Sequence, residues 1–163
     1  MNEKKDLDGT LWVFAKYFYQ IKENLEIWSF EEKTGIGFYK KYTGHYAHIE
    51  LKICKSDKEY RQSNVEYLIN ENQLPEPFRI EIEKALNFFI SYLEALKGEK
   101  VSLVFKISDS TYDQVDTKSW DFIMGTIYAL LNCFGKNFGG IKENDTELIQ
   151  RLKTESLIRN NKN

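Results

Sequence analysis

The chain has 163 residues, 42% of them hydrophobic and 15% aromatic, with two prolines and a formal net charge of −2. That size and apolar content fit one compact domain with its own core and exclude a disordered chain. No overall positive field draws nucleic acid to it, which counts against a dedicated phosphate binder without excluding a local basic patch.

Residues 1–8 are a charged end with no apolar stretch behind it, which argues against a secretory signal. From Gly9 to Ile21, a helix would gather Leu11, Phe14 or Ala15, Phe18 and Ile21 on one face. The crowding of aromatic residues leaves a strand as the alternative. Leu25–Glu32 reads as a first strand, broken by Thr34-Gly35-Ile36-Gly37. Phe38–Ile53 reads as a hairpin turning near Tyr42-Thr43-Gly44. In its second arm Ala47, Ile49, Leu51 and Ile53 face one way, and His48, Glu50, Lys52 and Cys54 the other.

Ser56–Ser63 is polar and reads as loop, and Val65, Tyr67 and Ile69 mark a short strand. Pro75 suits the entry to a helix carrying Ile82, Leu86, Phe89, Leu93 and Leu96, which Gly98 ends. Val101–Ile107 alternates as a half-buried strand, and Ser108–Tyr112 reads as a polar turn. Asp116 or Thr117 is placed to cap a helix carrying Ile123, Ile127, Leu130 or Leu131, and Phe134, with Gly135 at its end. After a glycine-containing loop, Asp145 caps a last helix carrying Leu148, Ile149 and Leu152. The order predicts one α+β domain over residues 1–163: a mostly antiparallel sheet with two main helices packed on one face, plus extra N- and C-terminal helices.

The longest nearly apolar run, Phe122–Phe134, has 13 residues, short of the roughly 18 that span a bilayer. Cys54 and Cys133 form no metal or disulfide pattern, so a cytoplasmic protein is expected. No GxxxxGK[ST] is present, so no nucleotide is expected, and Gly35-Ile36-Gly37 is too short to serve as a phosphate loop. His45 and His48, three apart on a strand, point to opposite faces and cannot readily share an ion; no metal or cofactor is expected. Ser110 and Thr111 lack a paired base, and nothing else forms a catalytic set, so the chain reads as no enzyme.

Two polar clusters remain. Tyr39, Lys40, Lys41, Tyr42, His45 and Tyr46 form a basic-aromatic cluster with no carboxylate between Thr34 and Ile49. Such residues can stack on bases and meet phosphates, or can simply keep a hairpin edge soluble. Asp109, Asp113, Asp116 and Asp121 make a second, acidic tip around Tyr112. There Asp109 reads as a turn residue, Asp116 as a cap, and Asp113 as free to meet a partner.

Leu74-Pro75-Glu76-Pro77-Phe78, Ile82-Glu83-Lys84-Ala85-Leu86 and Ser108-Asp109-Ser110-Thr111-Tyr112-Asp113-Gln114-Val115-Asp116-Thr117-Lys118 follow one another at a fixed spacing. In that order they resemble motifs of domain IV of elongation factor G and its relatives. Gly44-His45-Tyr46-Ala47-His48-Ile49 is similar to that family's Gly-Gln-Tyr-Gly-His-Val. The resemblance covers residues 25–135, with 1–24 an N-terminal extension and 136–163 a C-terminal loop, helix and tail. It implies a fold like ribosomal protein S5 domain 2, with a left-handed β-α-β crossover where general rules favour the right hand. Two departures stand out: the family's glycine- and arginine-bearing loop reads Phe38-Tyr39-Lys40-Lys41-Tyr42-Thr43, and its tip histidine is Asp113.

The expected function is a non-catalytic, stand-alone protein-binding module, with an immunity or inhibitor protein neutralising a toxin as one form of it. Its partner-binding residues would be Tyr39, Lys40, Lys41, Tyr42, His45, Asp109, Tyr112 and Asp113, the carboxylates meeting a basic target. The alternative is a ribosome-associated factor whose Lys40, Lys41, Tyr42 and His45 contact rRNA near the A site, with no membrane involved in either case.

Overall fold

The alternation read in the hairpin is realised as two paired strands in the computed structural model, which describes residues 14–58 and 62–162. Residues 9–13 of the first predicted segment, with Leu11 and Trp12, lie outside that range, as do 59–61 of the polar loop and Asn163 of the tail. β1 (Lys33–Lys41) pairs antiparallel with β2 (His45–Lys55), and the turn between them closes at Gly44 with φ +87°, a conformation that favours glycine. Next come β3 (Asn64–Tyr67), α3 (Glu76–Lys97) and β4 (Leu103–Thr111), preceded in the chain by α1 (residues 14–19) and α2 (Lys22–Ile27). α4 (Asp121–Cys133) and α5 (Glu143–Asn160) complete the chain.

The sheet has four strands in the order β1-β2-β4-β3, antiparallel except for the β3–β4 pair, so the fold is α+β. On one face, Ala47, Ile49, Leu51 and Ile53 of β2 and Leu103, Phe105 and Ile107 of β4 bury against α3 and α4. α3 turns Ile82, Leu86, Phe89 and Leu93 into that core at helical spacing and ends at Gly98, φ +71°. Phe18 of α1 packs on Phe88, Phe89 and Tyr92, so this helix is part of the same core. Burying one such side chain contributes roughly 1.5–3 kcal/mol.

α4 is buried along nearly its whole length and lies directly on the hairpin. A Cβ at Gly37 would fall 1.8 Å from the Gly125 carbonyl oxygen, and one at Gly35 would fall 2.2 Å from that of Ala129. Glycines in β1 therefore admit the helix backbone itself. On the other face, α5 covers one end of the sheet, where Ile149 and Leu152 bury a small second core with Phe38 and Tyr46.

Three sequence expectations are corrected. Leu25–Glu32 is not a strand: α2 ends at Ile27, and the strand begins at Lys33 and runs through the predicted break at Gly35 and Gly37. Ser108–Thr111 is not a turn but the end of β4, because a register shift between Glu50 and Leu51 carries the pairing on to Thr111 opposite His48. Neither Asp116 nor Thr117 caps α4, which begins at Asp121. Asp145 does cap α5, from its third position, by accepting the Lys142 backbone N–H at 3.0 Å.

Candidate functional site

The register of β1 and β2 carries the hairpin turn to the pole where β4 ends and α4 and α5 begin. Thr117 Oγ1 donates to the Tyr46 carbonyl at 2.7 Å, tying the Tyr112–Trp120 loop to β2. Asp121, fully buried at the start of α4, accepts from the Lys118 N–H at 2.8 Å and lies 2.7 Å from His45 Nδ1. Lys40 Nζ lies 3.4 Å from Asp145 Oδ1, which brings the start of α5 against the hairpin. Asn132 then fixes the intervening loop, donating to the Ile36 and Phe138 carbonyls and accepting from the Phe138 N–H.

Five of the expected partner-binding residues converge here, in different roles. Tyr39 is buried, edge-on to Tyr128 and Trp120, and so offers no free ring to stack on. Lys40 is paired with Asp145, and Lys41 sits 5.5 Å from the Tyr39 ring centre, whose hydroxyl raises the lysine pKa. Tyr42 is fully exposed at the turn. His45 is held by Asp121.

The acidic tip is dispersed: Asp121 is buried and Asp109 is paired, while Asp116 stays exposed beside Gly44. Asp113, expected to be free, uses Oδ1 to accept the Val115 and Asp116 N–H groups at 2.8 and 2.9 Å and so shapes its own loop. Asp109 is no turn residue: on β4, it pairs with Lys153 of α5 and accepts from Gln73 Nε2 and the Ser110 N–H. Tyr112 is packed between Phe78 and the Arg159 guanidinium.

The pole also displays Trp120, which the sequence reads as a core or partly buried support, and Val115, Tyr128 and Lys142, which it does not single out. Val115 is 78% exposed and Trp120 47%, beside the wholly exposed Tyr42. Trp120 follows three polar residues, outside the apolar periodicity of α4, and that was the available signal. Lys142 and Tyr128 join Lys40, Lys41 and Tyr42 around a cleft of about 320 Å³. No local pattern announces that cleft, because α5 reaches it across more than a hundred residues of chain.

One buried set of polar groups is mutually satisfied. Tyr46 and Thr111 share a 2.5 Å hydrogen bond, with His48 Nδ1 3.1 Å from the same Thr111 hydroxyl. Burial pushes the Tyr46 phenol up, and the His48 contact holds Glu50 below the usual carboxylate range. Burial likewise pushes the Cys133 thiol up to about 12. Each of these moves its group away from nucleophilic or proton-transfer work near neutral pH. His48, Glu50 and Asp109 bring potential ligand atoms within 4.8 Å of one another, but the Lys153 ammonium already pairs with Asp109 there.

No protein-family model and no curated protein matches the chain. A crystal structure of a protein from Thermus thermophilus is similar, at 20% identity and a TM-score of 0.47 over 61% of this chain. The chain spans 15% of that protein's length. Among the described residues, no helix is long and apolar enough to cross a membrane.

Proposed function

We propose that the chain is a non-catalytic binding module that docks one protein partner through the hairpin-tip pole. The observation that carries this reading is the exposure of Tyr42, Val115 and Trp120 on a pole whose loops are fixed by internal hydrogen bonds. Rigid aromatic side chains lose little entropy on docking and are enriched among interface anchors, where truncating one can cost about 2 kcal/mol or more. The engagement of His45 by Asp121 and of His48 by Thr111 supports the same reading. An inhibitor that blocks a toxin is one form of such a module. Asp109 is paired with Lys153 within the fold, so it supplies no charge argument for a basic target. Kinship with domain IV of elongation factor G remains part of the proposal and rests on the sequence motifs alone.

The test is a photo-crosslinking residue at Val115, irradiated in cells and followed by identification of the adduct. One dominant protein should be captured, and its purified form should bind a Tyr42→Ala/Trp120→Ala variant at least about tenfold more weakly. Unchanged affinity, or adducts with RNA alone, would refute the reading.

The lysines around the cleft favour a second reading, a ribosome-associated protein. Co-sedimentation with ribosomes that survives physiological salt and drops in Lys40→Gln/Lys41→Gln would put it first.

A further inference from the structure

We infer that the partner presents an acidic segment, seated in the cleft between the hairpin turn and the start of α5; this rests on the protein-binding reading above. The sequence suggests the opposite polarity, an acidic tip meeting a basic target, yet of the described carboxylates at this pole Asp145 alone lines the cleft. Asp121 is buried against His45 and the Lys118 N–H, Asp113 accepts N–H groups of its own loop, and Asp145 pairs with Lys40 and accepts the Lys142 N–H. Lys41 and Lys142 line the same cleft, both exposed, and neither meets a carboxylate among the described residues. The cleft lining thus holds three lysines against one carboxylate, on a chain whose net charge is −2.

Size and setting narrow the ligand. About 320 Å³ accommodates one or two side chains, and the cleft borders the exposed Tyr42. An extended segment carrying Glu or Asp beside an apolar residue would place carboxylates on Lys41 and Lys142 while its neighbour packs on Tyr42. A long nucleic-acid strand would also feel the negative remainder of the surface, whereas a short acidic segment feels only charges within about 8–10 Å. The lysines act as separate point charges rather than as the planar forks that suit bidentate phosphate recognition.

The test uses fluorescence anisotropy at about 0.1 M salt, where the screening length is about 10 Å, with three end-labelled probes: a decapeptide alternating Glu and Tyr, its Lys-Tyr counterpart, and an oligouridylate of equal length. The acidic peptide should bind and the basic one should not. Lys41→Glu/Lys142→Glu should weaken the acidic peptide at least about tenfold. Lys58→Glu/Lys100→Glu, the same charge change at exposed positions by the far ends of β2 and β4, should leave it unchanged; thermal melts check that both variants fold. Equal loss in both variants, no binding of the acidic peptide, or tighter oligouridylate binding through the same lysines would overturn the inference. A protein captured at Val115 whose affinity ignores Lys41→Glu/Lys142→Glu would overturn it while leaving the binding reading intact. Indifference of that protein to Tyr42→Ala/Trp120→Ala would instead remove the reading itself.

Discussion

Replacing Gly37 by Ala places a methyl group 1.8 Å from the Gly125 carbonyl oxygen and 2.9 Å from the Ala129 nitrogen. Ordinary contact begins near 3.4 Å, so β1 and α4 must separate locally by about 1.5 Å, and the obstacle is helix backbone, not a side chain that can turn aside. Overpacking of this kind costs about 1–3 kcal/mol, and backbone against backbone puts Gly37→Ala at the upper end. The lower entropy of the unfolded Ala chain offsets roughly 0.4–1 kcal/mol. A net loss near 2 kcal/mol lowers the Tm of a chain this long by about 4–8 °C. Gly125→Ala is the control on the other side of the contact: its methyl lies 3.3 Å from Ala47 Cβ and 3.7 Å from Ile49 Cγ2. Mild crowding there is set against a helix-propensity gain of about 1 kcal/mol, so its Tm should stay within a few degrees of wild type. Thermal unfolding followed by circular dichroism measures both. A Gly37→Ala protein melting within about 2 °C of wild type, or a Gly125→Ala protein falling as far as Gly37→Ala, would refute direct backbone packing of α4 on β1.

Glu50 is held below the usual carboxylate range first by its His48 contact, with a smaller contribution from Lys153. A depressed carboxylate stabilises the fold above its unfolded pKa, and that contribution disappears as the pH falls through the lowered value. Glu50→Gln should therefore lower Tm slightly at pH 7, by about a degree or two because the group is partly solvated, and converge on wild type as the pH falls through the lowered carboxylate value; a gap that is constant with pH would contradict the assignment. The thiols offer a second check. With Cys133 pushed up to about 12 and buried, its thiolate fraction at pH 8 is about 10⁻⁴. A disulfide reagent should titrate the partly exposed Cys54 in the native protein and Cys133 only after denaturation; equal rates would show that α4 does not shield it.

Legibility of the fold in the sequence followed how local its cause was. α3 was readable because Ile82, Leu86, Phe89 and Leu93 repeat at helical spacing and Gly98 ends the run. β2 was readable because its alternation matches one buried face. Gly35 and Gly37 misled, since glycines usually break strands, and here they exist for a helix that begins more than eighty residues later. Ser108–Thr111 misled in the same way: its short polar side chains favour a turn, yet pairing with β2 holds it extended. Of the candidate site, Lys40, Lys41 and Tyr42 were visible as a cluster, whereas Lys142 joins them only in three dimensions; the Asp113 bonds are local, to N–H groups two and three residues on.

The attachment of α5 has a consequence for how the molecule breathes. It is fastened to the sheet by Ile149 and Leu152, the Lys40–Asp145 and Lys153–Asp109 pairs, and Arg159 over Tyr112, a far smaller seam than the one joining α3 and α4. Sub-global opening should therefore release this helix before the rest, and its amides should exchange with solvent at a lower free energy than those of α3. Releasing it also takes Lys142 and Asp145 from the cleft and unroofs the Tyr46–Thr111–His48 chain of hydrogen bonds. Occupancy and closure are then thermodynamically linked: whatever fills the cleft pins α5 down, and the deeper protection of its amides reports that occupancy from a distance.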